Sequence, residues 1–149
     1  MIQGIKITKL NQIHDERGKV MTMMRKDSDI FKKFGEIYFS CSYPGVVKAW
    51  HLHEKMTLNY AVISGEIKFV LYDPREDSPT KGQFNEFILS TENYLLITVP
   101  PLIWNGFKCI GINQAIVANC SDIPHDSNEI QRIKPTDKLI PYDWKIEHK

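Results

Sequence analysis

The feature that most limits the fold of this chain is a succession of short β-rich runs, each closed by turn chemistry. Ile2 to Leu10 alternates, and Val20 to Met24 follows the polar turn Asp15-Glu16-Arg17-Gly18. Ile37 to Cys41 and Val46 to His53 are separated by Tyr43-Pro44-Gly45, while Leu58 to Ile63 and Glu66 to Tyr72 flank Ser64-Gly65 in a hairpin pattern. Phe84 to Leu89, Tyr94 to Val99 and Gln114 to Asn119 complete the series. Strands recurring at roughly 8–12-residue spacing predict an all-β sandwich or barrel. One short helix is expected over 27–34, with Ser28 as its cap and Gly35 as its end. The tail from Pro124 is polar and proline-punctuated, and its Leu139 to Trp144 end is expected to pack back onto the barrel. No repeat, linker or low-complexity block divides the 149 residues, so one domain over 1–149 is expected.

Charge and composition narrow the class of partner. Nineteen basic residues oppose eighteen acidic ones, a formal net charge of +1, which gives no electrostatic basis for a nucleic-acid or membrane partner. No apolar run reaches the roughly 18 residues a membrane helix needs, and the N-terminus carries no secretory apolar core. Cys41, Cys109 and Cys120 are odd in number and lack metal-type spacing, so free thiols in a reducing, cytoplasmic setting are expected.

Within this frame the stretch Val46-Val47-Lys48-Ala49-Trp50-His51-Leu52-His53-Glu54 carries the most chemistry. Strand alternation sends His51 and His53 to one face and Trp50 and Leu52 to the other. Two imidazoles on an inner face suit metal ligation or proton transfer, since the group titrates near neutrality. The plainer alternative is one exposed histidine beside one that is buried and satisfied by a neighbour. A first-row metal site needs three or four converging donors.

A jelly-roll barrel with such a pair resembles the cupins. Gly45, His51, His53 and Gly65 fit their first motif, but Thr57 and Leu58 stand where its Glu belongs, and Asn105 stands where the second motif delivers another histidine. The metal-ligand set is incomplete, so no metal is expected. Four further segments occur in order: Asp15-Glu16-Arg17-Gly18; Val47 to His51; Gly65-Glu66-Ile67 with Asp73 and Ser78-Pro79-Thr80-Lys81-Gly82; and Val99-Pro100-Pro101 with Asn105-Gly106-Phe107. The series resembles the dTDP-4-dehydrorhamnose 3,5-epimerases, metal-free cupins of nucleotide-sugar biosynthesis, and Ile140 to Trp144 resembles their I-x-I-x-W ending. The resemblance implies an all-β cupin, a double-stranded β-helix jelly roll with short helical segments, working without a cofactor on a nucleoside-diphosphate sugar, dTDP-linked in the family.

That family's chemistry removes a proton beside a 4-ketone, passes through an enolate, and returns a proton to the other face. By resemblance His51 is the base and Asp137 its orienting carboxylate. The family's lysine position holds Leu58, and its tyrosine positions fall near Val117 and around Asp122 or Ile123, so the enolate stabiliser and the acid are not matched; Tyr60, Tyr38, Cys120 or water remain open as acid. His53 and Tyr38 instead resemble the 3,4-ketoisomerases acting on the same class of substrate, which carry R-G-x-H-A-H-K and a tyrosine on the preceding strand. Arg17 and Lys48 are implied as diphosphate contacts, with Asn105 and Tyr38 as further substrate contacts. The expected activity is epimerisation at C3, C5 or both of a nucleoside-diphosphate 4-keto-6-deoxysugar for deoxysugar and polysaccharide assembly; a 3,4-ketoisomerase and a non-catalytic sugar-nucleotide binder stay open. A homodimer is expected in which Ile2 to Leu10 crosses to the partner and brings Arg17 to its site.

Overall fold

The computed structural model describes residues 1–145; the last four residues of the expected 1–149 unit lie outside the described residues. Among the described residues there are twelve strands and no helix. Three precede the histidine region: β1 (Lys6–Lys9), β2 (Gln12–Asp15) and β3 (Gly18–Met21). Then come β4 (Glu36–Ser42), β5 (Val47–His53), β6 (Leu58–Ser64), β7 (Glu66–Tyr72) and β8 (Phe84–Ser90). The last four are β9 (Leu95–Val99), β10 (Trp104–Cys109), β11 (Ala115–Ser121) and β12 (Ile130–Arg132).

Two five-stranded antiparallel sheets form, in the orders β1-β9-β6-β11-β4 and β12-β5-β10-β7-β8, and β2 pairs only with β3. This is the all-β jelly-roll arrangement expected from the strand series. Period-two patterning fills its interior: Leu58, Tyr60 and Val62 of β6 meet Ile67, Phe69 and Leu71 of β7, with Ile97, Val99, Phe107 and Val117 completing the cluster. A second cluster lies behind β5, where Trp50, Leu52, Val70 and Trp104 are covered by Ile140 and Trp144 of the tail. The tail therefore packs back as expected, with Trp50 and Trp144 ring centroids 4.9 Å apart.

Three expectations are corrected. Residues 27–34 are turns rather than a helix: amide bonds run from Ser28 to Arg25 O and from Phe31 to Ser28 O, three residues apart, and do not propagate. An eight-residue helix has little intrinsic stability, and here Ile30 and Phe31 are half-buried, lining a small pocket with Thr57, Asn59 and Cys120. Second, β6 and β7 are not a hairpin, because they belong to opposite sheets. Gly65 (φ +74°) turns the corner between them, and a Cβ there would stand 2.6 Å from Gln114 O. Third, the Ile2 to Leu10 segment does not leave its own chain. β1 pairs with β9, Lys6 opposite Thr98, and Ile2 and Ile5 are buried in the core. The element that stands apart is the β2–β3 hairpin, with Ile13 and Val20 exposed on it.

Candidate active site

The site is built on β5, which lies between β12 and β10. Gly106 lets β10 approach closely, since a Cβ there would fall 2.4 Å from Ala49 Cβ, and the ladder bulges between Asn105 and Phe107. Trp50 and Leu52 face the tail cluster, while His51 and His53 line a cavity of about 650 Å³ on the inner side. The alternation read from the sequence is thus realised. From the opposite sheet, Glu36, Tyr38 and Ser40 of β4 and Tyr60 of β6 close the cavity, and His125, Arg132 and Pro135 stand along the C-terminal segment.

The two histidines sit in different electrostatic surroundings. His53 and Glu129 are both buried, and His53 Nδ1 is hydrogen-bonded to Glu129 Oε1. Glu129 Oε2 accepts the amides of Lys55 at 3.1 Å and Met56 at 3.3 Å. Burial works to raise the Glu129 carboxyl, but the His53 bond and these amides outweigh it and hold it below the usual range. His51 has no such partner. Burial, then the positive charges of Arg132, His53 and Lys48, push it down to about 4, so its imidazole is neutral at pH 7 and can accept a proton.

Of the residues singled out from the sequence, His51, His53, Lys48 and Tyr38 come together in this cavity. Lys48 Nζ is anchored by Ser40 Oγ at 2.9 Å and the Cys41 carbonyl at 2.5 Å. Three others are placed elsewhere. Asp137 does not reach His51: its Oδ1 accepts the Leu139 amide at 2.9 Å as a turn aspartate, and the carboxylate bonded to a histidine of the pair is Glu129, on His53. Asn105 of β10 is buried and donates from Nδ2 to the His51 carbonyl at 2.9 Å, so it supports the strand and does not line the cavity. Arg17 lies at the β2–β3 turn, paired with Asp15 at 2.6 Å and 86% exposed, away from the cavity of its own chain.

Sequence reading missed Glu129, Arg132 and His125, whereas Tyr60, one of the candidate acids, does line the cavity. Arg132 is brought opposite His51 by the β12–β5 register, and that short strand carried no alternation long enough to detect. Among the described residues no group of three or more His, Cys, Asp or Glu side chains is arranged to hold a metal ion.

The profile of the family described as dTDP-4-dehydrorhamnose 3,5-epimerase matches residues 1–149. The chain belongs to that family. The resemblance read from the motifs is therefore borne out, and as a dTDP-4-dehydrorhamnose 3,5-epimerase family member the chain is an epimerase-type isomerase. It is similar to the spore coat polysaccharide biosynthesis protein SpsL of Bacillus subtilis, 33% identical over 149 residues and 99% of each chain. Among solved structures it is similar to a dTDP sugar isomerase from Desulfovibrio desulfuricans, at 45% identity and TM-score 0.94 over 96% of this chain and 92% of that one. A 3,5-epimerase of the family from Legionella pneumophila, determined with dTDP-4-keto-L-rhamnose, aligns at 26% identity and TM-score 0.84 over 97% of this chain and 80% of that one.

Proposed function

We propose that this protein epimerises a nucleoside-diphosphate 4-keto-6-deoxysugar at C3, C5 or both, with His51 as base, in the assembly of a deoxysugar-containing polysaccharide. The observation that carries the reading is the pair His51 and His53 on the inner face of β5, in a cavity whose charged lining is cationic apart from Glu36. A proton beside a ketone is acidified because the carbanion delocalises onto oxygen as an enolate. Removing it requires a neutral base within reach and positive charge near the oxygen. Neutral His51 is such a base, and Lys48 and Arg132 supply the charge. A diphosphate held beside them would offset two of the three charges that depress His51, so that binding of the substrate strengthens the base that acts on it.

The His53–Glu129 pair favours a second reading. Two imidazoles on one face can carry a proton between neighbouring carbons, as a 3,4-ketoisomerase requires, and Glu129 fixes Nδ1 of His53, leaving Nε2 for substrate. The molecule acts, in this proposal, as a single cytoplasmic catalytic domain paired in a homodimer. It needs neither metal nor cofactor. Arg17 of the β2–β3 hairpin contacts the nucleotide diphosphate in the partner's site, as its exposure permits.

Incubation with dTDP-4-keto-6-deoxyglucose in deuterium oxide, read by NMR, tests the reading. Deuterium at C3 and C5 with inversion is the outcome for double epimerisation. Deuterium at C3 alone restricts it to a 3-epimerase or, if the ketone has moved, to the ketoisomerase. No incorporation in a protein that binds the sugar nucleotide identifies a binder and overturns the enzyme.

A further inference from the structure

A chain of polar side chains in the first sheet ends on Tyr38, and its wiring has a direction. Asn119 lies on β11 directly opposite Tyr38 on β4 and is fully buried. Its Oδ1 accepts the Asn59 amide at 2.9 Å, which fixes the side-chain amide, so Nδ2 donates to Tyr38 Oη at 3.0 Å. Tyr60, buried on β6, makes a second hydrogen bond to Tyr38. Burial and then this contact hold the Tyr60 proton on well above the usual phenol range, so Tyr60 is able to donate to Tyr38 once Tyr38 is an anion. Asn119 Nδ2 can only donate, so Tyr38 Oη accepts there and keeps its own O–H to give. Tyr38 lines the cavity, where that proton has a substrate to meet.

His51 and Tyr38 belong to opposite sheets and line the same cavity. Inversion of a carbon beside a ketone requires this disposition, with removal on one face and delivery on the other. We propose that Tyr38 is the general acid that delivers the proton to the face of the sugar ring opposite His51, and that Asn119 and Tyr60 are positioning residues that stabilise its phenolate. The proposal rests on the epimerase reading and names the acid that the sequence left open. The C–H bond breaks, its proton passing to His51 and its electron pair into the C=C bond of the enolate as the ketone π pair moves onto oxygen. The enolate then collapses to the ketone. A new C–H bond forms with the Tyr38 proton, and the O–H pair stays on the phenolate. Water returns a proton from His51 to Tyr38, so no oxidant or co-reactant is needed. The two hydrogen bonds strengthen when they face an anion, by about a factor of two.

The test separates proton removal from inversion. The parent, Tyr38→Phe, Tyr60→Phe and His51→Asn proteins are incubated with dTDP-4-keto-6-deoxyglucose in deuterium oxide, alongside melting curves and dTDP titrations. In Tyr38→Phe, deuterium uptake should stay within about tenfold of the parent while inverted sugar falls about 10²–10⁴-fold, so that uninverted, deuterated substrate accumulates. Tyr60→Phe should show the same split with a loss of about tenfold, the scale of one hydrogen bond to a charged group. His51→Asn should lose uptake and inversion together. Unchanged inversion in Tyr38→Phe overturns the proposal. So does joint loss of uptake and inversion in a Tyr38→Phe protein that melts and binds dTDP like the parent, since that is a placement role. A parent that takes up no deuterium overturns the epimerase reading, and Tyr38's role with it.

Discussion

At His53 the Nδ1 nitrogen has one destination, the Glu129 carboxylate, which also gathers the amides of Lys55 and Met56. Glu129→Gln keeps the size and an acceptor but removes the charge. Its turnover should fall about 10²-fold with KM little changed, as for the loss of an acid–base group, and stability should fall by about 1–3 kcal/mol. Steady-state kinetics and urea unfolding check both, and full turnover would reduce the pair to a structural clamp. His51 makes a pH prediction. Its folded value near 4 lies below the unfolded 6.5, so the unfolded chain binds more protons between these limits and stability falls as pH drops through them. The melting temperature should decline from pH 6.5 towards 4, and His51→Gln should flatten that decline. At this scale the histidine pair was legible, because period two alone sorts side chains between faces. Glu129 was not, because it reaches His53 from 76 residues away and a buried acid in a polar loop carries no local signature.

At the scale of elements, β5 is held on three sides: by β12, by β10 and from behind by the tail. Trp144 is 7% exposed and packs on Trp50. Trp144→Ala should cost about 3–5 kcal/mol in chemical unfolding, and it should lower turnover as well, because Trp50 directly precedes His51 on β5. A stability loss without any change in kcat would show the tail to be only a cover. The interior strands were legible where apolar residues alternate over six or seven positions, as in β5, β6 and β7. β12 has only three residues and β10 begins in a proline turn, so neither produced a readable period. The β6–β7 corner looked like a hairpin because a Gly turn between two β-rich runs has the same local chemistry whether the strands pair or separate into different sheets.

For the whole molecule, the β2–β3 hairpin is the structural element with most to say about assembly, since it pairs with neither sheet. Mixing His51→Asn with Arg17→Ala protein under conditions of subunit exchange should restore activity that neither has alone. Exchange without recovery would leave each chain with its own complete site. The three tryptophans, Trp50, Trp104 and Trp144, all fall in the cluster behind β5, with none lining the cavity. Intrinsic emission of this protein is consequently a gauge of tail docking rather than of ligand occupancy. On heating, the emission shift should precede the far-ultraviolet dichroism transition if the tail peels away first, and should coincide with it if tail and sheets melt as one cooperative unit.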